Sequence, residues 1–394
     1  MQLNTLSAIE MAALIHTGKA SSVEVTSACL SRIAAREGDV RAFQYLDYDY
    51  ALQQAEKLDL MQQSGQEIGP LHGVPVALKD IIDTHDMPTE NGLAADKGRQ
   101  PGDSIVATRV RAAGAVIIGK TTTTEAAYYE PSKTRNPHNL AHTPGGSSAG
   151  SAASVADHMV PLAIGSQTNG SVIRPASFNG VVGFKPGLGQ LPGDGVLVLS
   201  PTLDHLGTFT RTIKDAALLA GVIAGDATFF QVPDIPANLP RLAFVSPPDW
   251  QTKAPADAAG AFATLCETLG TAIERVALPA LFDKALLVHR TVMAVEMSEN
   301  LARYMEANAP ISDQLRTLLE EGQAVSAHDY QSALSMRSDM RDQLREIFTR
   351  FDAIITPASY GEAPATLQNT GDPGACSLWT LMGTPAITLP LLKG

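Results

Sequence analysis

Apolar residues recur with helical spacing from the start of the chain. Between residues 6 and 35 they outline two helices broken near Gly18. Ser21-Ser22-Val23-Glu24 reads as the start of the second, with Val23, Val25, Cys29, Leu30 and Ile33 on one face. Residues 51–63 carry a further helical pattern. Three apolar runs, 74–78, 115–118 and 159–164, are too short for helices and read as strands, and residues 104–113 between the first two read as a helix. Strand, helix, strand in that order predicts an α/β layer fold with at least partly parallel strands.

Further along, the small residues of 147–156 predict a helix that opens directly out of a glycine turn. Residues 180–207, rich in Gly, Pro and short apolar runs, predict loops and edge strands. A helix is expected over 212–225, a proline-punctuated connection over 227–240, and long helices with charged faces over 254–350. Phe351-Asp352-Ala353-Ile354-Ile355-Thr356-Pro357 reads as a buried strand stopped by proline. With no internal repeat or long low-complexity linker, residues 1–394 are expected to form one domain. Its parts would be a core over 6–225, a variable helical region over 254–350 and a return to the core sheet over 351–394.

Composition narrows the function classes. Hydrophobic residues make up 44% of the 394 and charged residues 18%, enough for a large buried core. A net charge of −12 argues against non-specific binding to nucleic acid and against anchoring on anionic membranes. No apolar run is long enough for a transmembrane helix, and the amino terminus lacks a signal-peptide pattern. The three cysteines, Cys29, Cys266 and Cys376, are far apart and show neither metal-ligand spacing nor a disulfide framework. These features together predict a cytoplasmic protein.

The candidate chemistry lies in two serine-rich stretches and one lysine. The stretches are Gly145-Gly146-Ser147-Ser148-Ala149-Gly150-Ser151 and Gly165-Ser166-Gln167-Thr168-Asn169-Gly170-Ser171. The lysine is Lys79, at the end of the apolar run that starts at Val74. A serine hydroxyl attacks carbonyl carbon poorly until a base takes its proton. A lysine in apolar surroundings loses its charge by desolvation and can act as that base. Glycines beside a serine let backbone N–H groups converge on an oxyanion. Taken singly, each feature has an ordinary reading: a flexible loop, an Asn-Gly turn, a snorkelling lysine. Only their combination points to acyl chemistry.

These residues resemble the amidase signature family of serine hydrolases. The likeness is dense from residue 6 to 225, through Pro70-Leu71-His72-Gly73, Lys79, Gly119-Lys120-Thr121, residues 145–151, Ser171 and Gly183-Phe184-Lys185-Pro186. It is thinner around 351–357 and Gly383-Thr384-Pro385-Ala386-Ile387. The resemblance implies a central mixed, twisted β-sheet covered by helices on both faces. It also implies a Ser–Ser–Lys triad: Ser171 as nucleophile, Ser147 after a cis peptide as proton bridge, and Lys79 as base. Thr168, Asn169, Gly170 and Ser171 would form the oxyanion hole, and Tyr128, Tyr129, Gly146, Gln167 and Arg174 would meet substrate, with a buried structural role that braces backbone the competing reading for Arg174.

The chain departs from the family pattern in carrying Asn169-Gly170-Ser171 where much of the family has Gly-Gly-Ser. It also has Gln167 where Asp is frequent, and it is expected to lack the usual C-terminal extension beyond Leu391-Leu392-Lys393-Gly394. In motif it is similar to malonamidase-like, stand-alone amidases. The implied partner is a small-molecule amide, carbamate or ester, with no nucleic acid, membrane, metal or cofactor, and a homodimer is expected. Two other readings stand beside this one. The chain could be an amidase-like component of a tRNA-dependent amidotransferase complex. Or Gly146-Ser147-Ser148-Ala149-Gly150 could be a nucleophile elbow, making Ser148 the nucleophile with a partner such as His289.

Overall fold

A computed structural model describes residues 2–96, 98–232, 240–307 and 309–392. The strands are β1 (Phe43–Leu46), β2 (Pro75–Lys79), β3 (Val116–Thr121), β4 (Leu162–Gln167), β5 (Val182–Lys185), β6 (His205–Thr210), β7 (Leu242–Phe244), β8 (Ile273–Arg275), β9 (Ala353–Ile355) and β10 (Ala386–Ile387). Seven of them form one mixed sheet in the order β1-β3-β2-β4-β6-β5-β10. The central strand β2 runs parallel to both β3 and β4, and the outer pairings are antiparallel. Helices flank this sheet, so its central strands are shut off from water. Val76, Ala77, Leu78, Val116, Ile117, Ile118, Leu162, Ala163 and Ile164 all have 0% exposure. Burial on both faces explains why these strands read as unbroken apolar runs rather than alternating ones.

The first two helices, Ala8–His16 and Ser22–Val40, each start with a capping box, Ser7 with Glu10 and Ser21 with Glu24. Gly18, at φ 67°, turns the chain between them. The next helix, Tyr48–Gln63, starts ahead of the expected residue 51 because the Asp47 side chain accepts from the Tyr50 N–H and caps it.

Residues 186–204 are loop, as expected, but the strands that flank them, β5 and β6, lie inside the large sheet rather than at an edge, and β1 and β10 form its edges. Residues 351–357 also behave differently from expectation. β9 is only half-buried and pairs with β7 in a second, parallel sheet of order β8-β7-β9. Its apolar residues therefore serve this small sheet, and only β10 returns to the large one. Within the connection expected over 227–240, Ala227–Phe230 forms a single 3-10 turn, and residues 233–239 lie outside the described residues. Lys393 and Gly394 lie outside them as well. Among the described residues, no helix is long and apolar enough to cross a membrane.

The architecture fixes where chemistry can happen. β2, β3 and β4 are parallel, so their carboxyl ends (Lys79, Thr121 and Gln167) share one edge of the sheet. In open α/β sheets that edge is where ligands bind.

Candidate active site

Lys79 closes β2 and is fully buried. Its Nζ donates to Ser147 Oγ at 2.6 Å and to Ser166 Oγ at 2.9 Å. Burial pushes its pKa down to about 7, with the negative charge of Asp204 pulling the other way. A lysine held there is substantially a neutral amine near neutral pH, and a neutral amine accepts protons. Ser166 was not among the expected site residues. It reaches Lys79 because β4 lies beside β2, a pairing that strands so far apart in sequence do not announce.

Ser147 follows a cis peptide bond from Gly146. The turn before it needs glycine at 145: φ is 81°, and a Cβ there would sit 3.0 Å from Pro175 Cα. Gly146 is walled in, since a Cβ on it would lie 2.9 Å from Thr370 Cγ2 and 3.1 Å from Thr124 Cγ2. Its carbonyl accepts from Arg174 Nη2 at 2.8 Å.

The second serine segment leaves β4 at Gln167 and enters the helix Ile173–Asn179 through the turn 168–171. Among the described residues, the N–H groups of Asn169, Gly170 and Ser171 donate to no protein acceptor. Unpaired N–H groups on one tight turn are what an oxyanion requires. The turn is held from several sides. Thr168 Oγ1 donates to Asp204 at 2.6 Å, and the Thr168 carbonyl bonds His289 Nε2 at 2.9 Å. The helix Gly374–Met382 supports it from below: Ser377 Oγ donates to Asn169 Oδ1 at 2.5 Å, and Thr380 Oγ1 donates to the Asn169 carbonyl. Gly170 packs so closely on this helix that a Cβ would lie 3.2 Å from Cys376 Cβ.

Two residues expected to meet substrate are committed to the fold. Gln167 is buried; its Oε1 accepts from the N–H groups of Val172 and Ile173 at 2.8 and 3.0 Å, and its Nε2 donates to Thr380 at 2.9 Å. It caps the helix that follows Ser171, using an acceptor oxygen that an Asp would also supply. Arg174, 1% exposed, donates to the carbonyls of Gly146 and Gly371 and to Thr370 Oγ1. Its own N–H donates to the Gly170 carbonyl at 3.0 Å. Arg174 therefore ties the Gly146 backbone to the turn carrying Ser171.

Ser171, Thr168 and Asn169 line a cleft together with Ala127, Tyr128, Tyr129, Leu199, Met293 and Met297. Tyr128 and Tyr129 pack against each other with ring centroids 4.4 Å apart. They follow Ala126 and Ala127, whose φ values of 45° and 54° are unusual for residues with a Cβ. Met293 and Met297 come from the helix Ala285–Asn300, in the stretch where sequence reasoning found no motif.

The elbow reading has no geometry behind it. Ser148 is fully buried, and its Oγ is engaged with the backbone of Ser166, donating to O at 3.2 Å and accepting from N at 3.3 Å. His289 bonds Thr168 instead and, being buried, has its pKa lowered to about 4. One cluster of possible metal ligands is present among the described residues, His85, Asp86 and Asp103. Arg111 already bridges its two carboxylates at 2.5 and 3.2 Å.

Residues 24–392 match the protein family described as Amidase. The chain belongs to the amidase family. It is an enzyme of the kind that acts on carbon–nitrogen bonds. It is 34% identical over 448 residues to a subunit of the glutamyl-tRNA(Gln) amidotransferase of Streptomyces coelicolor, spanning 98% of this chain and 88% of that one. It is 40% identical over 321 residues to the protein of the same name from Acidothermus cellulolyticus, spanning 75% of this chain but only 63%, less than two thirds, of the relative. A crystal structure of an amidase matches the fold with a TM-score of 0.89 at 30% identity, spanning 99% of this chain and 93% of that one.

These relatives correct the expectation of a small-molecule partner alone with no nucleic acid. They are named as subunits, and as acting on a tRNA. Net charge was a poor guide because it speaks to non-specific electrostatic attraction, not to assembly through companion chains. A specifically malonamidase-like membership gains no support from these relatives either.

Proposed function

We propose that this amidase hydrolyses a carboxylic amide through an acyl-enzyme on Ser171. Neutral Lys79 takes a proton from Ser147, which takes one from Ser171 as Ser171 Oγ bonds to the carbonyl carbon. The N–H groups of the turn receive the negative charge on the carbonyl oxygen. The C–N bond breaks as Ser147 returns a proton to the nitrogen, which leaves as ammonia or an amine. Water then attacks the Ser171 ester, releasing the carboxylic acid and restoring the hydroxyl. Carbamates and esters are open to the same steps.

The observation that carries this reading is the 2.6 Å hydrogen bond from Lys79, fully buried and with a pKa near 7, to Ser147. The test is ammonia release from simple carboxamides and from glutamine. Ser171→Ala should abolish turnover and Lys79→Ala should slow it by about 10²–10⁴-fold. Full activity in either variant would reject the assignment.

The names of the relatives favour a second setting for this chemistry. There the chain is the amide-cleaving component of a tRNA-dependent amidotransferase, releasing ammonia for companion chains. In that case the chain purified from its native cell brings those companions with it, and glutamine cleavage rises when they and the tRNA are present. A chain that purifies alone and turns over aryl amides rapidly would instead be a stand-alone amidase.

A further inference from the structure

The cleft beside Ser171 holds a polar group that the hydrolytic steps leave unused. Asn169 sits in the oxyanion turn with both ends of its side-chain amide engaged. Its Oδ1 accepts from Ser377 Oγ at 2.5 Å, and its Nδ2 donates to Tyr129 Oη at 2.8 Å. With Oδ1 facing Ser377 Oγ, which also lies 3.2 Å from the Pro373 carbonyl, the amide presents its NH2 toward Tyr129. The phenol oxygen therefore acts as acceptor in that bond and keeps its own proton to give away. Among the described residues no protein acceptor takes that proton, and Tyr129 lines the cleft that also contains Ser171. Burial raises the pKa of Tyr129, so the phenol stays protonated through the neutral range.

We infer that Tyr129 is a specificity-determining residue whose O–H donates to an uncharged or anionic oxygen on the substrate, with Asn169 and Ser377 as the residues that aim it. The substrate class this implies is a compact amide bearing a second oxygen acceptor, such as a ketone or carboxylate, near the scissile group. Tyr128, Leu199, Met293 and Met297 supply the apolar walls around that single directional contact. A site that hydrogen-bonds one substrate group discriminates against the analogue that lacks it, because the buried donor is then left unpaired. The inference rests on the cleft beside Ser171 being where the amide of the proposed reaction binds.

Equilibrium binding tests it without requiring turnover. Calorimetry on Ser171→Ala would compare amides that differ by one carbonyl: 3-oxobutanamide with butanamide, 4-oxopentanamide with pentanamide, and 5-oxohexanamide with hexanamide. At least one oxo-amide should bind about 5–10-fold more tightly than its alkyl partner, and adding Tyr129→Phe should bring that ratio to about one. Adding Asn169→Asp instead, which turns the amide donor into an acceptor for the phenol proton, should collapse the ratio in the same way. A ratio that survives Tyr129→Phe, or a ratio near one for all three pairs at the start, overturns the inference. The proposed hydrolysis fails by a different result, wild-type protein that binds these amides and releases no ammonia.

Discussion

Replacing Lys79 with methionine should slow amide hydrolysis by about 10²–10⁴-fold and yet stabilise the folded chain near neutral pH. In the unfolded chain this lysine titrates near 10.5, and in the folded chain at about 7. Each pH unit of that gap is worth about 1.4 kcal/mol, so folding with a lysine here costs about 4–5 kcal/mol at pH 7 and below. The sign follows from proton counting: between the two values the unfolded state holds a proton that the folded state lacks. Wild-type stability therefore rises with pH across about 7 to 10.5, and the penalty is gone above that window. Methionine has no such term but forfeits the hydrogen bonds to Ser147 and Ser166, roughly 1 kcal/mol each. Lys79→Met should then be about 2–3 kcal/mol more stable than wild type at pH 7, with the advantage reversing near pH 9. Urea unfolding of both proteins from pH 6.5 to 10 measures this, because titrations elsewhere cancel in the difference. A stability difference that stays flat across this range would refute a folded lysine with a pKa near 7.

Rates should carry the same titration. We predict that kcat/KM rises with pH through a limb near 7 as Lys79 loses its proton, and that Asp204→Asn moves the limb to lower pH, since the Asp204 charge favours protonated Lys79. A pH–rate series on both proteins reads this directly. Gln167→Leu should destabilise the fold by about 2–4 kcal/mol by orphaning two helix-start N–H groups and removing the hydrogen bond Thr380 accepts, whereas Gln167→Glu, which keeps the acceptor, should retain most of the stability in urea unfolding. Arg174→Met should lower stability by more than about 2 kcal/mol and weaken neutral and anionic amides alike; a loss confined to anionic amides would make Arg174 a substrate ligand.

How far the sequence discloses this site depends on the distance over which each signal acts. The apolar runs ending at Lys79 and leading into the 165–171 turn were readable because burial on both faces leaves a continuous local pattern. Lys79, Ser147 and Ser171 were readable through a motif resemblance. Pairings between distant strands were not readable, which is why Ser166 beneath Lys79 was missed and why residues 351–357 were assigned to the wrong sheet. Gln167 and Arg174 show a different gap. Their residue types suit substrate binding as well as bracing, and only the partners that surround them, Val172, Ile173 and Thr380 for one and Gly146, Gly371 and Thr370 for the other, decide between the two. The support of the turn by Ser377, Thr380 and His289 comes from helices that carry no motif of their own.

The most direct measurement is intact-mass spectrometry after a fluorophosphonate probe, on wild type, Ser171→Ala, Ser148→Ala and Lys79→Ala. We predict one adduct on wild type, retained in Ser148→Ala, absent in Ser171→Ala and formed more slowly in Lys79→Ala. An adduct that survives Ser171→Ala, or one that disappears with Ser148→Ala, would contradict that prediction.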